Sequence, residues 1–377
     1  MKRVLSTTLV VFTIILLIFG AVMFFTITNF TSYSTSLTVD EDNRLLSSDE
    51  ESITILQLTD VQTSNLIECA MAYPSVKRMV DKCKPDMIVL TGDNIADNSD
   101  TMVLSAFISL MDSFELPWAL VFGNHDRNSA VSMEDICASL EASRYGLFKT
   151  GYLDDRYGNY YYNIELQGET VRTLIFMDSA KSNFTEEQVE WYENTVSSIS
   201  KREGEVIPSF VFFHIPIQQT ETAHQLYAEN SSVGSGIQAD EVDVQNEDTG
   251  FFDTAKALGS TDALFYGHDH RNNTFIEYED ILFCYGRKTG VTVYFEPGMT
   301  GANLITVTAD DFTVERVDWK QLFTFNNNII PIKQFLKVFS FFKRLLYGDY
   351  IFHFSSGTYS AMSSSLQSSI LQKPSHS

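Results

Sequence analysis

Along the chain, short apolar runs keep breaking off at polar clusters. Ile53–Leu58 (ITILQL) stops at Thr59-Asp60-Val61-Gln62, Met87–Leu90 (MIVL) at Thr91-Gly92-Asp93-Asn94, and Trp118–Phe122 (WALVF) at Gly123-Asn124-His125-Asp126. Pro208–Phe213 (PSFVFF) stops at His214-Ile215-Pro216, and the run from Ala263 to Tyr266 gives way to Gly267-His268-Asp269-His270. Such runs, rich in β-branched and aromatic residues and bounded by turn formers, predict buried strands. Between the first three lie helical spacings. Ser75–Lys84, which Pro74 would open, carries Val76, Met79, Val80 and Cys83 on one face, and Thr101–Phe114 follows the second strand. This alternation predicts right-handed crossovers and a largely parallel sheet covered by helices.

The second half reads as more antiparallel. Tyr160–Leu166 and Val171–Met177 flank a hairpin turn at Gln167-Gly168-Glu169-Thr170, and Thr185 caps a helix predicted over Glu186–Ser198. Gln218–Gly250 reads as a long acidic loop. Phe275–Tyr278, Ile281–Tyr285, Thr292–Phe295, Leu304–Thr308 and Thr313–Asp318 predict a closing meander.

The pattern divides 377 residues into a main domain over 52–320 and appendages. Lys2 and Arg3 precede an uncharged apolar stretch, Val4–Ile27, long enough as a helix to cross the ~30 Å hydrocarbon layer. Residues 1–28 therefore read as an uncleaved signal-anchor. This makes the protein single-pass, with its domain extracellular or in the secretory lumen; secretion after cleavage is the alternative. Residues 29–51, Ser/Thr-rich and acidic at their end, read as a polar stalk. Within 329–354, Ile332, Phe335, Leu336, Phe339, Phe342 and Leu346 share one helical face and Lys333, Lys337 and Arg344 the other. That pattern suits a membrane surface, or a helix packed on the domain. Residues 355–377 form a Ser-rich tail expected to be disordered.

Charge narrows the partners. The net charge of -23 repels polyanions, so nucleic acid is not expected as a substrate, whereas a small phosphate ester can still reach a locally positive site. Cys69, Cys83, Cys137 and Cys284 lack metal-finger spacing; Cys69 and Cys83 either pair or remain buried thiols. Asn29, Asn183, Asn230 and Asn272 begin glycosylation sequons.

The chemistry lies in the polar clusters. All fall at the carboxyl ends of strands, the edge where open α/β sheets form sites, so Asp60, Gln62, Asp93, Asn124, His125, His214, His268 and His270 should converge. Two divalent cations ~4 Å apart need a bridging carboxylate with N and O ligands on either side, and Asp93 suits the bridge.

The ordered motifs resemble the calcineurin-like metallophosphoesterase superfamily, with its D-x-H, G-D, G-N-H-D/E, H and G-H-x-H. TGDN, GNHD, FFHIP and YGHDHRNN are most similar to the purple-acid-phosphatase-related phosphatases of the shorter plant and fungal type. The resemblance implies an α/β (α+β) fold, a two-layer β-sandwich of mixed sheets flanked by helices, and two metal ions among Fe, Mn and Zn. It places Asp60, Gln62, Asp93 and His270 at the first metal and Asp93, Asn124, His214 and His268 at the second. His125 becomes the proton donor or phosphate-orienting group. Gln62 stands where the family has His, a weaker donor toward zinc or ferrous iron, and Ala96 stands where purple acid phosphatases carry their iron-binding Tyr.

Nearby polar residues have plainer readings. Asp178 reads as a turn residue, His224 as a solvated loop histidine, and Asp126 and Asp269 as groups that orient neighbouring imidazoles or brace the turns. The function expected is phosphomonoester hydrolysis. Phosphodiester hydrolysis on a lipid head group or nucleotide is the enzymatic rival, and a catalytically weak metal-binding interaction protein is the other alternative.

Overall fold

A computed structural model describes residues 33–318 apart from 181 and 297. The signal-anchor, the basic amphipathic segment and the Ser-rich tail lie outside the described residues. Among those described, no helix is long and apolar enough to cross a membrane.

The chain runs β1 (Thr38–Asp40), β2 (Leu45–Ser48), β3 (Ser52–Leu58), α1 (Leu66–Cys83), β4 (Met87–Thr91), α2 (Thr101–Asp112), β5 (Trp118–Val121) and α3 (Met133–Glu141). A hairpin, β6 (Tyr160–Leu166) and β7 (Glu169–Phe176), leads into α4 (Glu186–Glu203), β8 (Ser209–Phe212), α5 (Gln219–Glu229), β9 (Gly234–Ser235) and α6 (Phe251–Leu258). β10 (Thr261–Tyr266), β11 (Phe275–Tyr278), β12 (Ile281–Tyr285), β13 (Gly301–Thr308) and β14 (Phe312–Asp318) complete it. Two mixed sheets result. One has nine strands in the order β1-β2-β6-β7-β8-β10-β12-β11-β9, the other five in the order β14-β13-β3-β4-β5.

The large sheet is buried on both faces, which is why its central strands are unbroken apolar runs. Side chains alternate with period two. Leu174, Phe176, Phe210, Phe212, Ala263 and Phe265 face the small sheet and share its core. Ile175, Met177, Val211, Phe213, Leu264 and Tyr266 face the other way, onto Val189, Tyr192 and Val196 of α4 and Phe251, Phe252 and Ala255 of α6. Tyr160, Phe176, Phe212 and Phe265 stack across β6, β7, β8 and β10 at centroid separations of 4.6, 5.2 and 5.1 Å. That ladder fixes strand register at the edge where the site forms.

Several expectations change. The stalk reading fails beyond residue 37: β1 pairs with β2, β2 pairs in parallel with β6, and Leu46 is fully buried. One buried leucine in four residues is too little periodicity to announce a strand. Helix α1 starts at Leu66, with Pro74 inside it, because the Asn65 side chain accepts from the Ile67 and Glu68 N–H groups. Its first turn exposes Leu66 and Ile67, which hides the helical period. Cys69 and Cys83 are free thiols. Fourteen residues along one helix set them ~21 Å apart, beyond a disulfide's reach. The region 218–250 carries α5 and β9, and 292–295 is loop instead of strand. Asn272 is buried, its side-chain oxygen accepting from the Ala239 and Asp240 N–H groups, so that sequon is closed to a glycan.

Candidate metal centre

All eight sequence-predicted residues lie just past carboxyl ends of strands: Asp60 and Gln62 after β3, Asp93 after β4, Asn124 and His125 after β5, His214 after β8, and His268 and His270 after β10. Four of them hold left-handed backbone despite having a Cβ, with φ of 54° at Asp60, 44° at Gln62, 50° at Asp93 and 81° at His268. Strain of this kind concentrates where surrounding structure over-determines a functional geometry. Two glycines admit the close approach: a Cβ at Gly92 (φ +91°) would lie 2.4 Å from His214 Nδ1, and one at Gly123 2.1 Å from Asp93 Oδ1.

Asp60, Asp93 and His214 are buried and offer ligand atoms all within 4.8 Å of one another. Each histidine has one ring nitrogen tied outward, which sets its tautomer and turns the other inward. His214 Nδ1 bonds the Thr91 carbonyl at 2.8 Å, leaving Nε2 3.4 Å from Asp93 Oδ2. His268 Nε2 meets Asp243 Oδ2 at 3.2 Å, leaving Nδ1 3.3 Å from His214 Nε2. His270 Nδ1 bonds the Tyr294 carbonyl at 3.0 Å, its ring stacked on Tyr294 at 4.1 Å, leaving Nε2 3.3 Å from Asp60 Oδ1. Asp60 Oδ1 and Asn124 Oδ1 are buried without a hydrogen-bond partner. Buried carboxylates and imidazole nitrogens gathered this closely, with two buried acceptor oxygens left unpaired, fit a cation. Asp93, Asn124, His214 and His268 together offer two oxygens and two imidazole nitrogens to one.

The electrostatics point the same way. Burial pushes the Asp60 and Asp93 carboxyls up, but histidine neighbours, His270 for Asp60 and His214 for Asp93, outweigh it and hold both below the usual range. Burial opposes charge on His214, yet Asp93 and Asp60 push it up to about 10. The cluster draws positive charge to itself.

Gln62 behaves differently from the sequence expectation. Its Oε1 accepts from Lys288 Nζ at 2.7 Å and its Nε2 donates to Asp93 Oδ2 at 2.9 Å. The opposite amide orientation would set NH₂ against an ammonium, so Lys288 fixes it. The oxygen expected on a metal is already engaged. Lys288, itself buried, also donates to the Asp60 carbonyl at 3.0 Å.

His125 sits at the rim with about a third of its side chain exposed (37%), Nδ1 2.9 Å from Asp97 Oδ1 and Nε2 3.9 Å from Asp93 Oδ2. Burial lowers its pKa, but Asp93 and then Asp97 outweigh this and raise it above the ordinary value, which suits a proton donor near neutrality. Asp126 accepts from the N–H groups of Gly123, Asn94 and Ile95 at 2.8, 3.0 and 2.8 Å, tying together the two loops that carry Asp93 and Asn124. Asp269 accepts from Tyr285 Oη at 2.5 Å and the Asp243 N–H at 3.2 Å. Asp178 is a buried turn residue paired with Arg127. His224 is not solvated; it is buried on α5, Nε2 3.0 Å from Thr274 Oγ1.

Sequence reasoning missed Thr91, Asp97, Asp243, Lys288 and Tyr294. Only Lys288 left a signal, two adjacent cations between Gly286 and Gly290 in an acidic chain. Asp97, Asp243 and Tyr294 sit in loops whose composition does not mark them, and Thr91 ends β4 and acts through its backbone carbonyl.

The family model for calcineurin-like phosphoesterases matches residues 53–272. Over 292 residues the chain is 26% identical to the Arabidopsis thaliana protein named probable inactive purple acid phosphatase 29, covering 65% of this chain and 73% of that one. Over 291 residues it is 27% identical to the phosphatase DCR2 of Saccharomyces cerevisiae, covering 64% of this chain but 49% of that one. Among solved structures it resembles a dimetal phosphatase from Danio rerio, with a TM-score of 0.50 at 12% identity, covering 71% of this chain and 96% of that one.

Proposed function

The chain belongs to the calcineurin-like phosphoesterase family, and on that footing we propose that its site hydrolyses a small phosphomonoester in a metal-dependent reaction. The observation that carries the reading is the inward set of Asp93, Asn124 Oδ1, His214 Nε2 and His268 Nδ1, with His125 held beside it by Asp97. A divalent ion on those donors would polarise the phosphate ester and acidify water toward neutrality. The residues do the rest. Thr91 and Asp243 hold His214 and His268 in their inward tautomers, and Asp97 steadies His125 to hand a proton to the departing oxygen. The protein acts from the non-cytosolic face of a membrane, anchored by Val4–Ile27 behind Lys2 and Arg3. Resistance to alkaline carbonate extraction supports the anchor, and mature protein beginning after Ile27 rejects it.

The test is hydrolysis of a nitrophenyl monoester and the corresponding diester by the full-length protein with added Mn, Fe or Zn. Metal-dependent turnover of the monoester, lost in Asp93→Asn, is expected; turnover of the diester alone would move the assignment to phosphodiesterase. The engagement of Gln62 by Lys288 favours a second reading, a metal-binding protein with weak catalysis. Full metal occupancy with no turnover of either ester would establish it.

A further inference from the structure

The first half of the site does not fit a metal ion. Where the family pattern has an imidazole two residues after Asp60, this chain has Gln62, whose oxygen is taken by Lys288 and whose nitrogen is taken by Asp93. Without it, that half keeps Asp60 and His270 and must share Asp93 and the neighbouring His214 with the other half. The lysine is not there by side-chain chance. The Gly286–Gly290 segment is laced to the end of β3: Lys288 pairs with Thr59 in parallel, the Thr289 N–H donates to the Thr59 carbonyl at 2.8 Å, and the Gly290 N–H donates to the Asp60 carbonyl at 3.2 Å. Backbone register thus sets Lys288 beside the end of β3, and its Nζ reaches two acceptors, Gln62 Oε1 and the Asp60 carbonyl, at 2.7 and 3.0 Å. A buried ammonium is costly unless charge offsets it; here burial pushes the Lys288 pKa down to about 8, and the carboxylates of Asp60 and then Asp93 offset part of that cost. A divalent ion in this half would compete for the same carboxylates and be repelled by the ammonium.

We propose that Lys288 is the resident cation of the first half, and that the chain binds one metal ion, on Asp93, Asn124, His214 and His268. The proposal rests on the metal-centre reading above. It gives the Gln62 departure from the family pattern a partner in Lys288: Gln62 is the neutral acceptor that a lysine needs and that an imidazole ligating a metal could not be.

Equilibrium dialysis of the full-length protein against Mn²⁺, followed by elemental analysis, tests it. About one Mn per chain is expected in wild type. The double substitution Gln62→His with Lys288→Val is expected to bind a second ion, its apparent affinity at least about tenfold above any second binding in wild type. Two ions or none in wild type overturns the proposal, as does a double variant that melts like wild type yet stays at one. Lys288→Met checks the reverse role: loss of the single ion without loss of the fold would make Lys288 a support of the metal instead of its substitute. If the variants do not fold, the wild-type count still decides. Ester hydrolysis measured on the same samples separates the readings: one Mn without turnover sinks the phosphatase reading alone, and two Mn with turnover sinks this proposal alone.

Discussion

The two halves of the site share a strand edge and the Asp93 carboxylate, yet they part at one ligand position. In one, His214 and His268 have their outer nitrogens tied to Thr91 and Asp243, so their inner nitrogens are turned into the site. In the other, Gln62 has both ends of its amide spent, on Lys288 and Asp93. A donor held by an outward hydrogen bond is free to bind; one that is itself a link in the network is not. A motif lettered as a ligand can therefore be a strut, and the difference lies in a residue 226 positions away along the chain.

The most damaging change should be the one that removes what the halves share. Asp93→Asn takes the charge from beside His214 and leaves one oxygen where Gln62 and the His125 N–H now use two, so bound metal and activity should both fall to background. Retained metal would mean the carboxylate is not the pivot. His125→Ala removes an imidazole 3.9 Å from Asp93 but keeps the backbone N–H that donates to it, so it should keep the metal while slowing turnover roughly 10²- to 10⁴-fold. Metal loss equal to that of His214→Ala would put His125 among the ligands.

A milder change works through pH. Asp93 and Asp97 raise His125, so as a proton donor it is charged below its pKa and activity should fall as pH rises through it. Asp97→Asn removes one supporting charge, lowers that pKa and should move the alkaline limb of the rate profile to lower pH. An unmoved limb would assign it to another group.

The smallest effect lies outside the site and serves as its control. His224 is buried and its pKa is lowered, by burial against a weaker contribution from Gln238, so the unfolded state takes up the proton first as pH falls. Its contribution to stability is complete above the unfolded value of ~6.5 and is lost as pH falls from there toward the folded value. Between pH 7.5 and 5.5, His224→Gln should lose less melting temperature than wild type. An equal loss in both would show that His224 does not drive the pH dependence.

Much of this was legible because the fold writes itself in apolar runs. β3, β4, β5, β8 and β10 are buried on both faces, so each is an unbroken run ending at a polar cluster, and the edge of the sheets carries every ligand candidate. What stayed hidden lacks that pattern. β2 buries one leucine, α1 starts with exposed apolar residues, and α5 lies in an acidic stretch where only His224 and its small neighbours turn inward. The tautomer-setting acceptors are partly backbone carbonyls, Thr91 and Tyr294, which no residue type can advertise. Lys288 was visible as a letter but not as a neighbour of Gln62, since only the register of its segment along Thr59 brings them together.

The electron paramagnetic resonance spectrum of the wild-type protein saturated with Mn²⁺ tests the contrast between the halves most directly. The account predicts the six-line signal of an isolated ion in a site of mixed imidazole and oxygen donors, unchanged when more Mn²⁺ is added. A multiline spectrum from two exchange-coupled ions would contradict it, and would put a metal where Lys288 now holds the charge.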